Sequence, residues 1–227
     1  MSFKDCLPEL IEKVGSWKPV FEKARDELEF IASKLDERKT RIVPDKELLF
    51  RAFELTPLEK VRVVIVGQDP YPSILSDNTS RAQGLAFSVR EDDTIPSSLL
   101  NIFKEIKNEY PGWEAKRGGD LTHWAKQGVL LLNACLTCDV DSPGSHSKYY
   151  LWLPFIKKVI KEIEEVNPKC IFVFWGRESK RLIDFLNDST IKLISAHPSG
   201  LSAHRGFFGN NHFKTINQLL GENQIEW

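Results

Sequence analysis

Four short apolar runs constrain this chain more than anything else in it, and each ends at a glycine or a polar residue. They cover residues 61–66, 129–133, 170–175 and 191–195, and Gly67, Asn133, Gly176 and His197 stand at or just beyond their ends. Runs of this length, rich in β-branched residues and bounded by turn residues, read as buried parallel strands. The segments between them carry apolar residues at helical spacing, which implies right-handed crossovers packed on a sheet. The fold class expected is therefore α/β: a single domain, residues 1–227, with a four-stranded parallel central sheet flanked by helices on both faces.

The rest of the chain fits around that frame. Residues 8–36 place Leu10, Ile11, Val14, Trp17, Phe21, Ala24, Leu28, Ile31 and Leu35 at helical spacing, with a break near Gly15 to Pro19. This makes residues 1–40 a helical amino-terminal part of the same domain. A short helix is expected over 46–54. Another begins near Pro96, and a third is capped by Asp120 and ends near Gly128. Longer helical stretches are expected over 149–166, 178–187 and 211–220. With 227 residues, 41% of them hydrophobic, one full core is within reach. The net charge of −1 argues against a protein that coats a polyanion, so any such partner must meet a local patch. Four scattered cysteines do not make a disulfide framework, the start lacks an apolar signal core, and no run approaches a membrane span. A cytoplasmic, reducing location is expected.

Parallel strands present their carboxyl ends on one edge, where ligands of open α/β sheets bind. Asp69, Asn133, Gly176 and His197 each follow or end a different strand there, and convergent polar groups mark a site. Gly, Asp and Pro, taken singly, are also ordinary turn residues. Gly67-Gln68-Asp69-Pro70-Tyr71-Pro72 delivers a carboxylate, an amide and a phenol to that edge. No P-loop is present, no G-x-S-x-G elbow surrounds Ser195, Ser199 or Ser202, and Cys135-x-x-Cys138 with His146 fits no common zinc spacing. A site without metal or cofactor is expected. An asparagine there offers donor and acceptor together and reads an imide or amide edge. Residues 177–214 hold six Lys/Arg (Arg205 among them) against three Asp/Glu, a local basic face suited to nucleic acid.

Four segments resemble the family 1 uracil-DNA glycosylases: Gly67–Tyr71, Gly84–Val89, Gly119–Asn133 and His197–Gly209, in family order and spacing. Pro96 and Ser98-Leu99 resemble the proline-rich phosphate loop of that family. The resemblance covers about residues 40–227. It implies hydrolysis of the N-glycosidic bond of deoxyuridine in single- or double-stranded DNA, with the base flipped out of the stack. By the same resemblance Asp69 orients water and stabilises the sugar cation, and His197 bonds uracil O2. Asn133 pairs with O4 and N3–H, Phe87 stacks, Tyr71 excludes a 5-methyl group, and the Gln68 backbone fixes O2. Pro96, Ser98, Ser199 and the Gly176 region would grip phosphate, and Leu201 would wedge into the gap the base leaves. A protein inhibitor mimicking DNA is a further implied partner, and a monomer is expected.

The chain departs from the family pattern at Pro72, where histidine is usual, and in the longer polar 72–83 connection. It also departs at Arg177, where a small residue is common, and at Gly200, where proline is common. Arg81, the one basic residue of 72–83, is the natural replacement for the missing histidine contact to phosphate. Two alternatives are a non-catalytic DNA-binding module on the same fold and a mismatch-specific glycosylase. Retention of Asp69, Asn133 and His197 disfavours the first, and Tyr71 disfavours the second.

Overall fold

The computed structural model describes residues 2–227. Its centre is a four-stranded, all-parallel sheet built from β2 (Val63–Gly67), β3 (Val129–Asn133), β5 (Ile171–Trp175) and β6 (Ile191–Ser195), in the order β3-β2-β5-β6. All residues of β2, β3 and β5 are buried, which is why these strands read as unbroken apolar runs. Strand β6 lies at an edge and is only partly covered. The register sets Gly67 opposite Asn133 and Trp175 opposite Ser195. From β2 the chain crosses to β3 on one side, and from β5 to β6 on the other. The direction therefore reverses between β2 and β5, the place where open α/β sheets form their crevice.

Helices flank the sheet. The amino-terminal layer is α1 (Phe3–Lys13), α2 (Lys18–Lys23) and α3 (Arg25–Asp36), with a 3-10 turn at Gly15–Trp17 taking up the break. Its apolar faces join the main core, where Phe21 meets Phe50, Phe53 and Phe155 edge-on at 4.8–5.1 Å. Then come α4 (Arg51–Leu55), α5 (Ser97–Glu109), α6 (Thr122–Lys126), α7 (Leu153–Val166), α8 (Arg177–Lys180) and α9 (His212–Leu220). Asp120 accepts the Thr122 N–H at 2.8 Å ahead of α6.

The structure corrects the sequence reading at four elements. The helix expected from 149 starts at Leu153, because Tyr150 takes a left-handed φ of 52° that no helix continues through. The stretch 178–187 is broken into α8 and a 3-10 turn at Ile183–Phe185, and 46–54 into a 3-10 turn and α4. A second, two-stranded sheet pairs β1 (Ile42–Val43) with β4 (Cys138–Asp139), where the sequence reading had only a turn and a CxxC. Among the described residues no helix is long and apolar enough to cross a membrane.

Candidate active site

The carboxyl ends of β2, β3 and β6 surround a cavity of about 250 Å³ whose walls include Gln68, Asp69, Tyr71, Phe87, Asn133 and His197. Asp69 follows Gly67 at the end of β2. Its Oδ2 accepts the backbone N–H of Gly144 at 2.5 Å. Burial pushes the Asp69 carboxyl above its ordinary range; the Gly144 N–H and the Gln68 side chain oppose this, and the charge of Glu178 adds to it.

His197 follows β6. Its Nδ1 accepts the N–H of Ser199 at 3.0 Å, which leaves the proton on Nε2. Burial lowers the tendency of the ring to take a second proton, so the imidazole is neutral near pH 7. Gly176 makes this placement feasible. It has φ +90°, and a Cβ built on it would lie 2.7 Å from His197 Cβ. The N–H of Gly176 donates to Ser195 O at 3.1 Å, so that group is committed inside the sheet rather than presented to a phosphate. The Gly176 contribution is close approach of His197.

Asn133 ends β3 with its side chain against Gly67, where an added Cβ would sit 2.2 Å from Asn133 Oδ1. Among the described residues its amide has no hydrogen-bond partner, although Asn133 is only 8% exposed. Asn133 lines the cavity, so the donor and the acceptor of this amide are both open to a ligand there. Phe87 adopts a left-handed φ of 65°. Its carbonyl accepts the Tyr71 hydroxyl at 3.1 Å, and the neighbouring Ala86 N–H donates to Leu131 O at 3.0 Å. The Phe87 ring is thus fixed 6.0 Å from His197 and 5.6 Å from Trp175, whose indole N–H donates to His212 Nδ1 at 3.1 Å. Burial keeps the Tyr71 phenol protonated. The Gln68 carbonyl accepts the Cys135 N–H at 3.0 Å.

Around this cavity lie the groups expected to meet DNA. Pro96 precedes α5, Ser98 lines the cavity mouth, and Asn101 Nδ2 donates to Pro198 O at 2.8 Å, tying α5 to the His197 loop. In that loop Ser199 Oγ and Ser202 Oγ are 2.9 Å apart, and Ser202 donates to the His197 carbonyl at 2.8 Å. Leu201 at its tip is 85% exposed, against 59% for Phe30, the next of the large apolar residues. Arg205 is exposed, and Arg177 projects with its side chain 90% exposed. Arg81 departs from expectation. Its guanidinium is held by both Asp93 oxygens, at 2.7 and 2.9 Å, and by Thr94 O, so it is a clasp of the 72–83 hairpin and not a free cation for phosphate. Cys135 and Cys138 are buried thiols, and among the described residues no group of three or more His, Cys, Asp or Glu is arranged to hold a metal ion.

Two contributors were missed from sequence. Gly144 acts through its main chain, and its one signal was the Ser142-Pro143-Gly144-Ser145 turn. Gly67 was read as a strand end, not as the space Asn133 needs.

Comparison with known proteins agrees with this geometry. A model of the uracil DNA glycosylase superfamily matches residues 53–221. The chain is 43% identical over 222 residues to the uracil-DNA glycosylase of Bacteroides thetaiotaomicron, across 93% of this chain and 97% of that one. It is 44% identical over 206 residues to the uracil-DNA glycosylase of Saccharomyces cerevisiae, across 82% of this chain and 56% of that one. Among solved structures, mimivirus uracil-DNA glycosylase superposes with a TM-score of 0.86 at 27% identity, covering 100% of this chain and 93% of that one. A variant of the mimivirus enzyme in complex with UGI gives 0.85 at 28% identity, covering 96% and 91%.

Proposed function

The chain belongs to the uracil-DNA glycosylase superfamily and is a DNA-repair hydrolase that removes uracil from DNA, and from that premise we propose a mechanism carried by Asp69 and His197. The deoxyuridine leaves the base stack and enters the cavity, since its sugar–base bond is out of reach inside a duplex. Phe87 stacks on the ring. The unpartnered Asn133 amide takes O4 and N3–H, and cytosine meets it with a mismatched edge. Tyr71 fills the space a thymine methyl would need, and the Gln68 backbone fixes O2.

The bond from C1′ to N1 then breaks with its electron pair going to the base. The sugar carries positive charge, which the Asp69 carboxylate stabilises, and the base carries negative charge, which builds at O2. The Nε2–H of neutral His197 donates to that oxygen. Water directed by Asp69 adds at C1′ and gives up a proton to solvent, the uracil anion takes one up from solvent, and uracil and an abasic site remain. The observation that carries this reading is the fixed tautomer of His197: with Nδ1 occupied by the Ser199 N–H, a neutral donor lies across the same cavity from the Asp69 carboxylate.

The rim would grip the DNA: Pro96 and Ser98 on one side, Ser199 and Arg205 on the other, with Leu201 wedged where the base was. A protein presenting a DNA-like acidic surface would compete for that rim, a partner supported by the mimivirus variant in complex with UGI. We place the protein, as a monomer, in a reducing compartment such as the cytoplasm, which its four unpaired cysteines support.

The test is single-turnover cleavage of uracil- and thymine-containing oligonucleotides in chelator. Uracil should be released and thymine left. Asp69→Asn should slow release about 10²- to 10³-fold while DNA binding holds, because the charge acts in the transition state. A near-normal rate for Asp69→Asn would overturn the assignment.

A further inference from the structure

The donor to Asp69 sits in a loop that is closed by side chains remote from the substrate. Residues 139–146 start at the last residue of β4 and return to it. At the base of this loop the His146 ring lies with Nε2 3.2 Å from Asp139 Oδ1, and the Asp139 N–H donates to Ser145 Oγ at 2.8 Å. Gly144, next to Ser145, has φ +72° and points its N–H at Asp69. The base is fixed from both sides. Asp139 also receives the Arg38 guanidinium and the Thr40 hydroxyl, the latter at 2.6 Å, and β4 is paired with β1. On the other side His146 Nδ1 is 2.8 Å from Thr137 Oγ1, which accepts the Trp152 indole N–H at 2.7 Å.

The direction of every proton in this chain follows from its ends. An indole nitrogen only donates, and the Asp139 carboxylate only accepts. Neutral His146 must therefore carry its proton on Nε2 for Asp139 and accept the Thr137 hydroxyl proton at Nδ1. The relay runs Trp152 to Thr137 to His146 to Asp139, and all four are buried. Removing the Thr137 hydroxyl takes the donor from Nδ1 and leaves that buried nitrogen without a partner, so the ring at the base of the loop is held from the Asp139 side alone.

We propose that Thr137, His146 and Asp139 are positioning residues for the cleavage reaction: they hold the 139–146 loop so that the Gly144 N–H stays on the Asp69 carboxylate. This rests on the reading of Asp69 as catalytic. The loop both aims the carboxylate and favours its ionised form, because an N–H donor stabilises the charge. The other ionisable groups around Asp69 are Glu178 beyond β5, the thiols of Cys135 and Cys138, and His197 across the cavity; Asp139 and Arg38 face His146.

The experiment is single-turnover cleavage of a single-stranded uracil oligonucleotide across the acid and neutral pH range, with DNA affinity and Tm measured alongside. Thr137→Val should lower the maximal rate about tenfold, as a small misplacement of a reacting group does. It should move the acid limb of the profile to higher pH and leave DNA affinity unchanged. Thr137→Ser should restore both rate and limb. Asp139→Asn, measured in parallel, should move the limb the same way and serves if Thr137→Val does not fold. A fall in Tm with an unmoved limb would mean that the network is merely structural, and the proposal fails. If Asp69→Asn itself keeps the rate, the underlying reading fails instead; if Asp69→Asn abolishes the limb while Thr137→Val leaves it in place, this inference alone is lost.

Discussion

The inside of the cavity and its rim are built on opposite terms. Inside, volume and backbone geometry fix each position: Gly67 leaves no room between β2 and Asn133, Gly176 none beside His197, and Phe87 is held left-handed by its neighbours. On the rim, Gly200 has nothing within 4 Å of where a side chain would start, Leu201 projects into solvent, and Arg177 is exposed beside Glu178, with which it pairs at 3.3 Å. The two departures from the family pattern at Gly200 and Arg177 both fall on the rim. Chemistry on one base tolerates displacements far smaller than an ångström-scale shift. A phosphate backbone is a repeating polyanion that different donors satisfy. The contrast teaches where this chain is free to vary.

The largest effect should come from breaking the interior with the smallest possible change. Gly67→Ala puts a methyl 2.2 Å from Asn133 Oδ1, so either the amide or the strand must move. Activity on uracil should fall about 10²-fold, the usual consequence of a misplaced group, while circular dichroism reports an intact fold. Retained activity would mean that Asn133 does not read the base.

A smaller, substrate-dependent loss is expected at the rim. Leu201→Ala should slow cleavage of uracil in duplex about tenfold and barely affect single strands, because the wedge offsets unstacking, which only the duplex requires. His197→Ala should slow both alike, since it acts once the base is in the cavity. Equal losses on both substrates for Leu201→Ala would remove the distinction between interior and rim. The smallest effect belongs to Arg81→Gln. The ion pair with Asp93 already satisfies this guanidinium, so the salt dependence of DNA binding should change by well under one phosphate contact, while Tm falls. A loss of one full contact in the salt slope would return Arg81 to the DNA.

The same contrast explains what was legible in the sequence. Strands β2, β3 and β5 were readable because burial on both faces leaves no polar residue inside them, and β6 because Ile191, Leu193 and Ile194 keep it apolar around Lys192. Asp69, Asn133 and His197 were readable because each is the polar exception at a strand end, and the structure brings them to one cavity. Strands β1 and β4 are two residues each, too short for any periodicity to register. The left-handed turns at Phe87 and Tyr150 use residues that rarely adopt them, so nothing in the local sequence announces them. Gly144 works through an amide that every residue but proline possesses, and Arg81 looked free because its partner Asp93 lies twelve positions away.

The strand order has one more consequence, for how activity is acquired. Strand β2 sits in the interior of the sheet, yet both neighbours come from far along the chain, and the wall carrying His197 comes later still. Non-local pairings of this kind close late in folding, after the entropy of long loops has been overcome. No contiguous half of the polypeptide holds the carboxylate, the amide and the imidazole together. Catalytic competence is therefore a property of the completed sheet alone, and a partly folded chain, however rich in helix, should bind no uracil.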